Sequence, residues 1–115
     1  MAASVLDFIP RVGNYRFSTN LNNVEYTFDV RWNSRDKAWR FDMYDNDGYL
    51  MVAGVKIVID AYLGRRSTHP FFNQNVLVAI DLANSGVEPT YDDMGVRVEF
   101  RHYPLSDLVD FLFIR

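Results

Sequence analysis

Apolar and polar positions alternate most strictly between Asn23 and Asn33. Val24, Tyr26, Phe28, Val30 and Trp32 share one parity, and Glu25, Thr27, Asp29 and Arg31 share the other. A period of two sustained over that stretch is the pattern of a strand with one buried and one wet face. The polar run Asn33-Ser34-Arg35-Asp36 then reverses the chain, and Trp39, Phe41 and Met43 alternate with Arg40 and Asp42. The two segments predict a β-hairpin whose core side is Val24, Tyr26, Phe28, Val30, Trp32, Trp39 and Phe41. Trp32 and Trp39 fall near its turn, where they can pack as neighbours on one face.

A second turn is predicted at Asp45-Asn46-Asp47-Gly48. Asp45 and Asp47 can bond their own backbone, and Gly48 accepts positive φ. Tyr49 to Tyr62 reads as a long β segment, with Gly54 marking a bulge or a close backbone approach. Its later part is apolar enough to be buried on both sides or to form an oligomer contact. Gly64 to Asn75 shows no period and reads as a long loop, a length that is usually functional or flexible. Val76 to Leu82 reads as a short apolar strand, Ala83 to Asp93 as a loop, and Val96, Val98 and Phe100 as the inward side of another strand. Near the N-terminus, Asp7 to Pro10 reads as an edge strand or an arm. Near the other end, Leu105, Leu108, Val109 and Leu112 keep helical spacing behind a Ser106 cap, while Phe111 and Phe113 suit an extended tail. The expectation is an all-β fold: a small antiparallel barrel or sandwich of six to eight strands, with at most a short C-terminal helix. Residues 1–115 form a single β domain in this reading, with 1–13 and 104–115 as terminal arms.

Composition supports the strand reading. The chain has nine Phe, seven Tyr and two Trp, which suit a pleated, half-buried surface. A chain of 115 residues can hide about two thirds of its unfolded surface, so a core needs no staples. Cysteine is absent, which removes disulfides, thiol catalysis and thiolate metal sites. The net charge of −3 disfavours a broad nucleic-acid-binding face. Met1 to Pro10 carries an acid and no basic cluster, unlike a secretory signal, and the apolar runs fall short of the roughly 20 residues of a membrane helix. Abundant Arg and Tyr suit an interface as well as a core, and both readings stand.

Catalytic patterns are weak. His69 and His102 stand far apart with no third ligand pattern, and the parity of His102 places it inward. With Gly48 at the sixth place of a calcium loop, the first place is Met43 and the twelfth Gly54, so that register fails. Asp92-Asp93 could serve acid–base chemistry but lacks a matched nucleophile or base, and shaping a turn before Gly95 explains it as well. No phosphate loop, nucleophile elbow or metal set is visible, so no catalytic or metal residue and no cofactor is expected, and an enzyme is disfavoured. Arg65-Arg66, close in sequence to Phe71 and Phe72, is the one basic cluster near aromatics. It is either a solvated loop or a site that takes a partner's carboxylates bidentately. Arg65, Arg66, Phe71 and Phe72 are therefore the candidate partner contacts.

The ordered set of features resembles a known family. An aromatic hairpin with Asn33 at its turn and Trp39 on the return strand is followed by Asp45-Asn46-Asp47-Gly48. Ala53-Gly54 then precedes a β run, and Asp93-Met94-Gly95 leads into Val96-Arg97-Val98. Over about Asn14 to Tyr103 this is similar to the small baseplate plug proteins of contractile-tailed phages, cyanophages included. Met94 stands where the resemblance leads one to expect Leu. The resemblance implies a virion structural protein, made in the host cytoplasm and placed at the centre of the tail baseplate. It implies hub, spike and tail-tube proteins as partners, a homo-oligomer in the particle, and neither membrane nor nucleic-acid sequence recognition. The residues alone leave two other functions standing: a small-ligand-binding β-barrel using the aromatic stripe, or an enzyme using Asp45, Asp47, Asp92 or Asp93.

Overall fold

The computed structural model describes residues 4–6, 8–9 and 11–105. Seven strands and one helical turn follow in order: β1 (Ser4–Leu6), β2 (Asn14–Leu21), β3 (Val24–Asn33), β4 (Ala38–Tyr44), β5 (Leu50–Lys56), α1 (Phe71–Gln74), β6 (Asn75–Asp81) and β7 (Val98–Pro104). They form two antiparallel sheets, a meander β2-β3-β4-β5 and a smaller sheet β1-β7-β6. The fold is the expected all-β sandwich.

Local chemistry sets each turn of the meander. Asn22 and Asn23 both adopt positive φ, so two residues suffice to join β2 to β3. The Asn33 side-chain oxygen accepts the Arg35 and Asp36 N–H groups, closing the β3–β4 turn. Register then sets Trp32 opposite Trp39, their rings 5.4 Å apart and edge to face. Asp45 accepts the N–H groups of Asp47 and Tyr49, and Gly48 closes that turn with φ +87°. Gly54 is a bulge as expected: its N–H donates to the Asp42 carboxylate at 2.7 Å, where the β4–β5 register shifts.

The core lies between the sheets. Phe28 and Phe41 from the meander meet Phe100 of β7, with ring centroids 5.3 to 5.9 Å apart. Trp39 stacks on Tyr91 and donates its indole N–H to the Thr90 carbonyl at 3.0 Å. Met94 is fully buried, so the departure from Leu is absorbed by a side chain of similar volume. His102 is buried as its parity required, and its Nε2–H donates to the Asn75 Oδ1 at 2.7 Å.

Several expectations are corrected. Val24 is 36% exposed, and Tyr26 and Trp32 are half-buried, because the ends of a long strand outrun the smaller sheet that covers its middle. β2 is a full strand, with Tyr15, Phe17, Thr19 and Leu21 turned inward, where no strand was expected. The long β segment stops at Lys56 rather than Tyr62, and Val96 is exposed ahead of β7. Residues 64–75 contain α1, whose first N–H donates to the ring Nδ1 of His69. Of the two readings of the N-terminal segment, edge strand or arm, the described residues favour the strand: β1 pairs with β7 at the sheet edge, and Leu6 and Phe8 are buried. The C-terminal helix and tail expected over 106–115 lie outside the described residues.

Candidate partner-binding surface

After β5 the chain leaves the meander and crosses to the other sheet. The Ile57 N–H still donates to the Trp39 carbonyl at 2.8 Å. Asp60, at φ 61°, then redirects the backbone, and Ile59 and Leu63 form isolated bridges with Ala79 and Leu77 of β6. Ile57 and Leu63 are buried beneath this strap, which covers one side of the sandwich. Ser67 fastens its far end by donating its hydroxyl to the Met51 carbonyl at 2.8 Å.

An open groove of about 630 Å³ lies between β5 and the strap. Val52, Val55, Val58, Ala61 and Leu63 form its apolar lining, and Lys56, Arg65 and Arg66 its charged lining. Gly64 places the two arginines there. A Cβ at Gly64 would stand 2.8 Å from the Phe72 ring, and its φ is +79°, so a side chain there would be strained and would have to displace that ring.

The charges of this groove differ from those elsewhere. On the outer face of the meander, Arg16 pairs with Asp29, Arg31 with Asp42 and Arg40 with Asp36. The Arg16 guanidinium holds the Asp29 carboxyl below its usual range, outweighing partial burial. Arg11 pairs with Asp92, and Arg101 with Glu99. Arg97 is the densest centre. It pairs with Asp93 and Asp81, both at 2.9 Å, and donates to Ser85 and to the carbonyls of Val87 and Glu88. Burial alone would raise the Asp81 pKa, but hydrogen bonds from Ser85, Arg97 and the Gly86 N–H hold it far below the ordinary value. Asp93 is lowered similarly, against burial, by Thr90 and Arg97. Among the described arginines, only Arg35, Arg65 and Arg66 lack a carboxylate partner. Arg65 and Arg66 are exposed and adjacent, with no carboxylate among the groove's lining residues. Lys56 across the groove reaches Asp36 at 3.9 Å, whereas the unpaired Arg65 and Arg66 beside an apolar floor suit an acidic, partly apolar partner segment.

The four residues singled out in the sequence therefore separate. Arg65 and Arg66 stand together at the groove. Phe72 is half-buried beneath Gly64. Phe71 is 6% exposed, packed against Tyr26 at 4.9 Å and near His102, so the domain itself occupies it and it is removed as a partner contact. The groove's apolar floor escaped the sequence because β5 and the strap become neighbours only through the crossover. The local signal was the run Val55 to Ile59, apolar on both parities.

Asp45 is engaged in its turn, and Asp93 is bound to Arg97 and Thr90. Among the described residues, no helix is long and apolar enough to cross a membrane. No curated protein sequence matches the chain. The family model described as "Cyanophage baseplate Pam3 plug gp18" matches residues 5–104, which includes both sheets, the strap and the groove. A filled β-sandwich with that match over most of its length belongs to the cyanophage baseplate plug family.

Proposed function

We propose that this protein acts as a plug at the centre of a contractile-tail baseplate, seated between the tail tube and the hub and spike. The observation that carries this reading is the family match across residues 5–104. The physical character of the domain supports it. Trp39, Phe28, Phe41 and Phe100 fill the interior with rings, leaving the aromatic stripe to serve as packing rather than as a ligand chamber. The self-paired outer face of the meander keeps charge satisfied in the free protein. The groove beside Arg65 and Arg66 supplies a surface whose charged rim steers and whose apolar floor holds. The role needs no turnover and no cofactor.

The test is reconstitution with tail-tube and hub proteins, followed by imaging of tail ends. The wild type is expected to co-purify with them and to give density on the tube axis. Density confined to the baseplate periphery, or virions whose protein content lacks this chain, would overturn the placement. Arg65→Glu with Arg66→Glu is expected to reduce incorporation while leaving the fold intact. Undiminished incorporation would remove the groove from the interface.

A further inference from the structure

Among the described residues, most sheet edges are closed to an added strand. Along β5 the Met51 carbonyl is taken by Ser67, the Gly54 carbonyl by Arg40, and the Gly54 N–H by Asp42, at a bulge. β6 is bridged by Ile59 and Leu63 of the strap, and β1 spans only Ser4–Leu6. β2 is different. Its eight residues keep unbroken register with β3 and include no bulge, proline or lysine, the devices that usually blunt an edge.

The turn fixes which groups that edge presents. A two-residue loop makes Leu21 and Val24 a hydrogen-bonded pair, and such pairs alternate along an antiparallel ladder. Tyr15, Phe17 and Thr19 therefore bond to β3, and the Trp32 N–H, donating to the Gly13 carbonyl at 2.8 Å, continues the alternation. The N–H and C=O groups of Asn14, Arg16, Ser18 and Asn20 point away from β3. All four residues are exposed, and among the described residues no group bonds to those backbone atoms.

A second copy fits this edge. When two β2 strands run antiparallel about a two-fold axis at Phe17, Asn14 faces Asn20 and Arg16 faces Ser18 of the other copy, and every outward N–H and C=O finds a partner. A slip of two residues leaves one end of each strand unpaired. Phe17, half-buried and stacked on Phe28 at 5.2 Å, gains its own copy as a cross-strand neighbour. Arg16 is the one charge on β2 and already pairs with Asp29, so repulsion between the copies is small.

We propose that this protein pairs with a second copy through β2, joining two four-stranded meanders into one continuous sheet. Eight residues a side fall short of the roughly 20–30 of a standard interface, so the pair is weak alone and forms where copies are concentrated. β2 and β5 are opposite edges of the meander, so the pairing leaves the groove open and stands or falls separately from the placement in the baseplate.

Residue-resolved hydrogen exchange from about 10 μM to about 1 mM chain, with sedimentation equilibrium over the same range, reads the pairing. The mass is expected to rise toward that of a dimer. The amides of Asn14, Arg16, Ser18 and Asn20 are expected to slow with it, while those of Tyr15, Phe17 and Thr19, already bonded to β3, change little. Ser18→Lys sets a cation opposite Arg16 of the other copy, and Ser18→Asp sets a carboxylate there. The first is expected to weaken the dimer about fivefold and the second to tighten it about fivefold, although both lose the same bond to Thr27. Ser18→Pro removes an outward donor and is expected to abolish the dimer; if it fails to fold, the Lys and Asp variants decide. A chain that stays monomeric, a dimer in which the four amides stay fast, or Lys and Asp variants that shift affinity in the same direction overturns the proposal. Four amides already slow at the lowest concentration overturn it in favour of a cover supplied by the chain itself.

Discussion

Replacing Gly95 by alanine tests how firmly the N-terminal segment belongs to the sandwich. Gly95 sits in the turn before β7 with φ +90°, where an L side chain is strained. A Cβ there would also stand 2.7 Å from the Phe8 carbonyl oxygen and 3.0 Å from the Phe8 Cβ. The neighbour is backbone, so it cannot swing aside as a long side chain would. Phe8 is itself locked, its ring edge-on to Phe100 at 5.2 Å and to Phe17 at 5.9 Å. Left-handed strain alone costs about 1–2 kcal/mol. Relieving the overlap requires shifting Phe8 out of its seat, which forfeits part of the roughly 3–5 kcal/mol that a buried Phe contributes. The expected total is about 3–4 kcal/mol. Gly48 provides the internal control, because its φ is +87° and nothing lies within 4 Å of the added carbon. Gly48→Ala is expected to cost only the strain, about 1–2 kcal/mol. The two variants should therefore differ in melting temperature by about 8 °C, at about 4 °C per kcal/mol for a domain of this size. Thermal melts followed by circular dichroism measure both. Removing residues 1–9 in the Gly95→Ala background should bring its remaining cost down to that of Gly48→Ala. Equal destabilisation by the two alanines in the full chain would refute the seating of Phe8 against this turn.

Other outcomes follow from the same contacts. Phe71→Ala is expected to lower stability by about 3–5 kcal/mol in urea titration, whereas Arg66→Ala stays within about 0.5 kcal/mol, and the reverse order would return Phe71 to the surface. Arg97→Met is expected to cost about 2–4 kcal/mol, because it strands partly buried acceptors around Asp93 and in residues 85–88; a loss under about 1 kcal/mol would mean water replaces those bonds. Asp29, Asp81 and Asp93 all have lowered pKa values in the folded chain. Their stabilisation is thus complete above the ordinary carboxyl value of about 4 and is lost as pH falls through the folded values. The urea midpoint should hold from neutral pH to about 4 and then drop, less steeply in Arg97→Met; a midpoint unchanged on further acidification would contradict this.

What the sequence exposed follows from how local each determinant is. The β3–β4 hairpin was legible because its alternation and its Asn33 turn are both encoded within a few residues of where they act. β2 was equally regular, with Tyr15, Phe17 and Leu21 on one parity, but its polar neighbours Ser18, Thr19 and Asn20 weakened the contrast. The Asn22-Asn23 pair was the signal that could have found it, since both residues tolerate the left-handed conformation that a two-residue hairpin demands. Phe71 was misjudged for the opposite reason. Within an aperiodic stretch nothing local distinguishes a buried ring from an exposed one, and its seat beside Tyr26 and His102 exists only once β3 and β7 are assembled. The candidate site was half legible: the Arg65-Arg66 pair is a feature of the chain, whereas its apolar floor is a product of the crossover.

That division bears on what the domain can do. On the meander's outer face Arg16, Arg31 and Arg40 each pair with a carboxylate, and the Arg16 guanidinium also stacks over the Tyr44 ring at 5.5 Å. Such a face gains little from a partner, because each ion pair it forms must replace one it already has. Arg65 and Arg66 carry no such cost, and the apolar floor beside them gains whenever it leaves water. If the groove is the interface proposed above, this difference between the two faces would orient the domain toward an acidic, apolar edge of its partner. Because the interior is filled with rings and both sheets are tied by the strap, a load applied at the groove passes into the core instead of opening it. Loosening the strap should therefore weaken retention in an assembled baseplate before it weakens the fold. Ser67→Ala, which removes the bond to Met51 at the mouth of the groove, is the smallest change that separates the two. Its melting temperature should fall by only about 4 °C, the effect of one lost hydrogen bond of about 1 kcal/mol, while incorporation falls further. Parallel losses of stability and incorporation would mean that the groove transmits no load of its own.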